Sequence, residues 1–129
     1  MIRALRPWVP ALLCMAAIFV ASAQHRVRLP GFRQSDKVSH FAAYSVLGAA
    51  LAYGGAQTGT GPLPLILAGS LYGASDEFHQ SFVPGRSPDV RDWLADTAGA
   101  LLGVLAFHRF FSRRARGGTP PPGADPLRR

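Results

Sequence analysis

The chain has 129 residues, which is too short for more than one domain, and 48% of them are hydrophobic. Fourteen Lys and Arg residues against seven Asp and Glu residues give a formal net charge of +7, which in a soluble protein would suggest nucleic-acid binding. The arginines instead cluster at the ends of apolar segments, as in membrane proteins that follow the positive-inside bias, so no nucleic-acid partner is predicted. The single cysteine, Cys14, excludes an intramolecular disulfide.

Apolar segments alternate with basic or polar linkers along residues 1–111. Four such segments stand out, at residues 8–23, 38–56, 62–75 and 93–111. They predict an all-α membrane protein, a bundle of four transmembrane helices in a single domain. The remaining residues, 112–129, are rich in Arg, Pro and Gly, which predicts a disordered basic C-terminal tail.

The third apolar segment is too short to cross a bilayer unless the polar residues after it are included. Its fourteen residues rise about 21 Å as a helix, whereas a hydrocarbon core of about 30 Å needs roughly 20 residues. We therefore predict that this helix continues from Asp76 through Gln80. Residues 75–99 hold five of the seven acidic residues, and charged groups at a membrane edge are costly, so we expect this stretch to be functional.

Polar residues at helical spacing form stripes on three of the predicted helices. The fourth segment carries one at steps of three and four residues, formed by Asp89, Asp92, Asp96, Gly99 and Gly103. The second carries another, formed by Lys37, His40, Tyr44 and Gly48, and the third adds Asp76, Glu77 and Gln80 near its end. Segments two and four begin, and segment three ends, on one side of the membrane, so the stripes are predicted to meet there. The glycines fit packing within the bundle and dimerisation equally well.

Together these motifs resemble the VanZ-like family of small bacterial membrane proteins. The resemblance covers roughly residues 8–111 and rests on several motifs in order: Asp36-Lys37-x-x-His40-Phe41-x-x-Tyr44, Asp76-Glu77-x-x-Gln80, Pro84-Gly85-Arg86 and Asp89-x-x-Asp92-x-x-x-Asp96-x-x-Gly99. One departure is Asp96, where the family more often has Asn, so this carboxyl group needs a proton or a partner. The founding member is linked to teicoplanin resistance without an established biochemical activity, so the resemblance implies a family rather than a reaction.

The first apolar segment allows two interpretations. Arg3 and Arg6 precede an apolar run that ends in Ala21-Ser22-Ala23, which is the pattern of a signal peptide with an A-x-A cleavage site. The resemblance favours a retained membrane helix, because the family carries one just before the Lys-His motif. Either interpretation places the linker after this segment outside the cytoplasm.

We predict that the polar stripes form a site for a lipid-linked or peptidoglycan-related ligand of the cell envelope, as the resemblance suggests. The candidate binding residues are Lys37, His40, Asp76, Glu77, Gln80, Arg86, Asp89, Asp92 and Asp96. Arg86 and Lys37 would meet phosphate or carboxylate groups, Arg86 through a bidentate fork. Membrane lipids are the other expected partner.

Two further hypotheses use the same residues. In an intramembrane enzyme, His40, Glu77 and Asp92 would be the catalytic residues and supply acid–base chemistry, but no nucleophile motif supports it, so the chain is more readily interpreted as non-catalytic. A divalent-metal or proton site would use the residues Glu77, His79, Asp89, Asp92 and Asp96. Their spacing matches no metal motif, so no cofactor or metal is predicted.

Several candidates also have a purely structural interpretation. Ser87 and Pro88 read as a helix start, with Asp89 complementing the helix dipole in the first turn. Arg86 would then only neutralise the acidic residues, and His40 would be a packing histidine. Lys37 would mark the membrane interface, and the aromatic residues Tyr44 and Trp93 are expected to pack.

The distribution of basic residues predicts the orientation. With the N-terminus inside, the cytoplasmic side carries eight Lys and Arg residues and the outer side six, which favours both termini in the cytoplasm. The protein is therefore expected in the bacterial inner membrane as a multi-pass protein, with the polar motifs on the outer side.

Overall fold

Helices connected by short turns make up the chain in the computed structural model, which describes residues 2–24 and 33–116, with side chains over 4–24 and 37–111. The elements in chain order are α1 (Ile2–Leu5), a 3-10 turn (Arg6–Trp8), α2 (Val9–Ser22), α3 (Arg33–Thr58), α4 (Pro62–Gln80) and α5 (Val90–Arg116). No strand occurs in these residues. The all-α prediction is confirmed.

The observed end of α4 agrees with the sequence-based prediction, whereas both ends of α5 differ from it. α4 begins with Pro62 after Gly61 and ends at Gln80, so the predicted continuation through the acidic pair is confirmed. α5 begins at Val90 rather than at Pro88, because Asp89 and not Ser87 caps it: Asp89 Oδ1 accepts a hydrogen bond of 2.9 Å from the Arg91 N–H.

α5 also runs beyond the predicted end of the domain at residue 111. It continues through the first arginines of the basic tail to Arg116. The predicted disordered tail otherwise falls on residues 117–129, which lie outside the described residues.

The four longer helices alternate in direction. The start of α2 lies against the end of α3, where Trp8 contacts Gly54. The end of α2 meets the end of α4, where Ser22 donates a hydrogen bond to Asp76. Lys37, near the start of α3, pairs with Asp92 in the first turn of α5. One end of the bundle, here called the polar end, therefore gathers the ends of α2 and α4 and the starts of α3 and α5.

α3 and α5 run parallel and contact each other backbone to backbone. A Cβ placed on Gly103 would overlap the Ser45 carbonyl oxygen and lie 2.8 Å from the Ala49 nitrogen, and one on Gly48 would lie 2.9 Å from the Ala100 Cα. Gly99 meets the Phe41 carbonyl oxygen in the same way. The Gly99–Gly103 pair is thus used for packing within the bundle.

Around this contact the core is small and the outside is strongly apolar. The side chains of Tyr44, Leu47 and Val104 are fully buried. By contrast, α5 is long and apolar enough to cross a membrane over Val90–Phe111, and only 28% of that span is buried inside the bundle. Within the described residues no other helix meets both criteria, and the apolar helix Arg6–Ser22 is shorter.

Replacing Gly103 by Ala should destabilise the bundle by about 1–3 kcal/mol, the usual effect of overpacking. The added methyl group has only backbone atoms of α3 to meet, so it forces α3 and α5 apart. Thermal unfolding followed by circular dichroism in detergent measures the effect. Ala98→Leu adds more volume to the exposed side of the same helix and is the control; equal melting temperatures for the two variants would contradict the close contact.

Candidate functional site

The polar end joins all of the predicted binding residues into one connected group of side chains, here called the polar cluster. Its described members are Ser22, Lys37, His40, Tyr44, Asp76, Glu77, Gln80, Arg86, Asp89, Asp92 and Asp96. The side chain of Asp36, part of the first motif, lies outside the described residues.

At the centre of the cluster, His40 of α3 faces Asp96 of α5. The imidazole Nδ1 lies 2.8 Å from Asp96 Oδ1, and both side chains are buried. This contact provides the partner that an Asp in place of the family's usual Asn requires. The second carboxylate oxygen of Asp96, Oδ2, is buried and has no hydrogen-bond partner among the described residues.

Glu77 of α4 connects this centre to the loop between α4 and α5. Its Oε2 accepts a hydrogen bond of 2.9 Å from the Asp89 N–H. Its Oε1 is buried and, like Asp96 Oδ2, has no hydrogen-bond partner in the described part of the chain. Glu77 therefore helps to position the start of α5 while it keeps one oxygen available.

A chain of hydrogen bonds runs from α2 to Arg86. Ser22 Oγ donates to Asp76 Oδ2 (2.8 Å), Gln80 Nε2 donates to the same oxygen (3.0 Å), and Arg86 Nη1 donates to Gln80 Oε1 (3.0 Å). The Ser22 and Gln80 donors are uncharged, so Asp76 is stabilised here by hydrogen bonds and not by an ion pair. The position of Arg86 follows from the turn before it, in which Gly85 has φ +83° and the Arg86 N–H donates to the Val83 carbonyl oxygen.

Ser22 is a member of the cluster that the sequence did not reveal as a site residue. Its only signal is a hydroxyl group at the end of an apolar segment, and the same three residues read as a cleavage motif. In the structure two hydrogen bonds join α2 to α4. One runs from the Ser22 hydroxyl to Asp76, and the other, of 2.6 Å, runs from the Tyr72 hydroxyl to the Met15 carbonyl oxygen. These contacts favour a retained first helix.

On the more exposed side of the cluster, Lys37 forms ion pairs with two carboxylates. It lies 3.2 Å from Asp89 Oδ2 and also pairs with Asp92 Oδ1. The Arg91 N–H and the Lys37 ammonium together hold the pKa of Asp89 below its usual value. The hydrogen bond to Asp92, with that to Asp89, raises the pKa of Lys37. Asp92 is thus the ion-pair partner of Lys37. A carboxylate held in an ion pair is poorly suited to the acid–base role that the sequence suggested for Asp92.

A cavity of about 120 Å³ opens beside the cluster between α2 and α3. Its walls are partly apolar and partly polar, and its lining residues are Ile18, Ala21, Ser22, Ser39, His40, Ala43, Tyr44 and Arg86. The Arg86 Nε and the Tyr44 hydroxyl are buried without a hydrogen-bond partner among the described residues. The sequence predicted Tyr44 as a packing residue, and its burial agrees, but its hydroxyl belongs to the site. Trp93 does pack, donating to the Ser70 carbonyl oxygen.

The fold and site define a small helical protein whose only extensive polar interior, within the described residues, lies at one end of the bundle. Residues 8–112 match the family model described as VanZ/LLP1, so the chain belongs to this family, as its motifs predicted. No curated protein and no solved structure gives a significant match.

The helix cap at Asp89 makes stability depend on pH. The pKa of Asp89 is lowered in the folded protein, so the ionised carboxylate stabilises the fold. This stabilisation is fully present above the unfolded-state pKa of about 3.9 and is lost as the pH falls through the pKa of Asp89 in the folded state. Asp89→Asn keeps the cap but removes the charge, so its melting temperature should be lower than that of the wild type at neutral pH and equal to it in acid. A pH-independent difference would contradict this assignment, and Asp89→Ala, which also loses the cap, should be less stable than Asp89→Asn throughout.

Proposed function

We propose that the protein spans the inner membrane with four helices, α2 to α5. Large apolar side chains on the outside of the bundle support this, among them Leu71, Phe78 and Phe82, which are each at least 67% exposed. Soluble monomers rarely present contiguous apolar surfaces of this extent. The hydropathy of α4 is lowered by Asp76, Glu77 and Gln80, which are buried inside the bundle and would not face lipid.

In this four-span arrangement both termini lie on one side of the membrane, and the distribution of arginines favours the cytoplasm. An alkaline phosphatase fused after Arg129 should therefore be inactive and a green fluorescent protein fused there bright. A phosphatase inserted after Pro84, in the loop of the polar end, serves as the positive control and should be active. The opposite pattern would place the polar cluster on the cytoplasmic side.

The ligand that best fits the site is the phosphate or carboxylate group of a lipid-linked envelope compound. The observation that carries this proposal is the guanidinium of Arg86, which lies at the wall of the cavity with its Nε buried and unpaired among the described residues. A buried donor without an acceptor is costly, and a ligand oxygen would remove that cost. Arg can hold such a group through two parallel hydrogen bonds.

The size and walls of the cavity restrict what can enter it. A volume of about 120 Å³ is well above the roughly 10–15 Å³ that one water molecule needs, and it suits a single phosphate or carboxylate group. Ser22, Tyr44 and His40 offer further polar atoms around it, while Ile18 and Ala43 form an apolar wall. This combination suits a headgroup whose hydrocarbon chain stays in the bilayer.

Arg86→Lys tests the proposal, because Lys keeps the charge and removes the bidentate fork. Native mass spectrometry of the purified protein should show at least about a tenfold loss of co-purified phospholipid or lipid-linked intermediate, with an unchanged melting temperature. Arg91→Lys makes the same exchange at an exposed arginine outside the cavity and should retain the lipid. Full retention by Arg86→Lys would show that Arg86 is only a structural partner of Gln80.

A second candidate function is an intramembrane enzyme, which the buried His40–Asp96 contact at the cavity wall favours. His40 would then be the acid–base group and Asp96 would orient it, in place of the sequence-based choice of Asp92. A deletion strain distinguishes the two candidates. Accumulation of one lipid-linked intermediate would indicate an enzyme, whereas an unchanged profile with altered teicoplanin sensitivity would indicate a binding protein.

A further inference from the structure

We propose that His40, Glu77 and Asp96 bind one divalent metal ion. The three residues come from α3, α4 and α5, and a nitrogen or oxygen atom of each lies within 4.8 Å of the others. All three side chains are buried, with Asp96 fully inaccessible. A metal ion would draw the three groups closer together, because two ligands of a tetrahedral zinc ion are about 3.4 Å apart at bond lengths of about 2.1 Å.

Two buried oxygen atoms without hydrogen-bond partners are a second observation that supports a metal site. Glu77 Oε1 and Asp96 Oδ2 are both buried, and neither has a hydrogen-bond partner among the described residues. Native proteins rarely leave such groups without a partner, because desolvating them is costly. A cation between them would serve as the partner for both oxygens at once.

The negative charges of Glu77 and Asp96 are not balanced by a described Lys or Arg side chain. Lys37 is used by Asp89 and Asp92 on the outer side of the cluster, and Arg86 donates to the amide of Gln80. Within the described side chains neither Glu77 nor Asp96 has an ion pair with Lys or Arg. Two carboxylates and a neutral imidazole supply two negative charges, which match a divalent ion.

The mixed ligand set indicates the kind of metal. Imidazole suits zinc and other transition metals, whereas magnesium and calcium prefer sites built only from oxygen. One His nitrogen with two carboxylate groups therefore points to Zn²⁺ or Mn²⁺. Three protein ligands leave a further coordination position open, and His40 also lines the cavity. The metal proposal holds whether or not an anionic lipid enters that cavity.

Binding of Mn²⁺ to the metal-free full chain in detergent tests the proposal, with a purification tag that contains no histidine. Electron paramagnetic resonance should detect one bound Mn²⁺ per chain, displaced by Zn²⁺. Glu77→Gln and Asp96→Asn, which keep the side-chain shapes, should each weaken binding by at least about tenfold. The matched control is His79→Gln, which changes a histidine that stacks on Phe19 at the same end of the bundle. It should bind as the wild type does.

A second readout does not depend on the folding of the site variants. Replacing His25, His79 and His108 by Gln leaves His40 as the one imidazole in the chain. Pulsed electron paramagnetic resonance of Mn²⁺ bound to this triple variant should still show coupling to one imidazole nitrogen. Absence of stoichiometric Mn²⁺ binding by the wild type, equal affinities in all variants, or loss of the nitrogen coupling in the triple variant would each overturn the proposal.

Discussion

The backbone contact between α3 and α5 is the constraint on which the rest of the structure depends. Three glycines allow two parallel helices to approach until only backbone atoms separate them, and no side chain can intervene or shift the register. Because Phe41 lies at Gly99 and Ser45 at Gly103, residues toward the starts of the two parallel helices also face each other. His40 therefore contacts Asp96, and Lys37 contacts Asp92, which lies two turns before Gly99.

The remaining helices complete the polar cluster rather than enclose it. α4 contributes two carboxylates, and these accept hydrogen bonds from the Ser22 hydroxyl of α2, the Gln80 amide at the end of α4 and the Asp89 N–H of the following loop. Asp76 is fully supplied in this way, whereas Glu77 and Asp96 each keep one buried oxygen without a partner in the described residues. This difference is what supports a structural role for Asp76 and the proposed binding role for Glu77 and Asp96.

Much of this arrangement could be predicted from the sequence, because helix length and spacing are local properties. The bilayer thickness required α4 to include Asp76 through Gln80, and steps of three and four residues placed the stripes of α3 and α5 on single faces. The meeting of the stripes followed from the alternating directions of the helices. The use of Gly99 and Gly103 within the bundle did not follow, since the same pattern serves a dimer.

What the sequence could not provide depends on side-chain direction and on competition between neighbours. Ser87 and Asp89 are both good helix caps, and only the path of the loop decides for Asp89. Ser22 has no partner nearby in the sequence, because Asp76 lies 54 residues away. Among the described residues, length and hydropathy identify a candidate membrane span in α5 alone. Hydropathy counts a polar group in the same way whether that group is turned toward a neighbouring helix or toward lipid.

The order of the helices has a consequence for how such a bundle assembles. In the topology proposed above, α3 enters the membrane with its glycine face uncovered, and α4 brings Asp76 and Glu77 before the helix that completes their surroundings has been synthesised. Ser22 and Gln80 are already present and can hold Asp76, but the Asp89 N–H that donates to Glu77 lies directly before α5. During synthesis Glu77 therefore lacks this partner until last, and the packing of α5 against α3 and α4 is the step that completes the bundle.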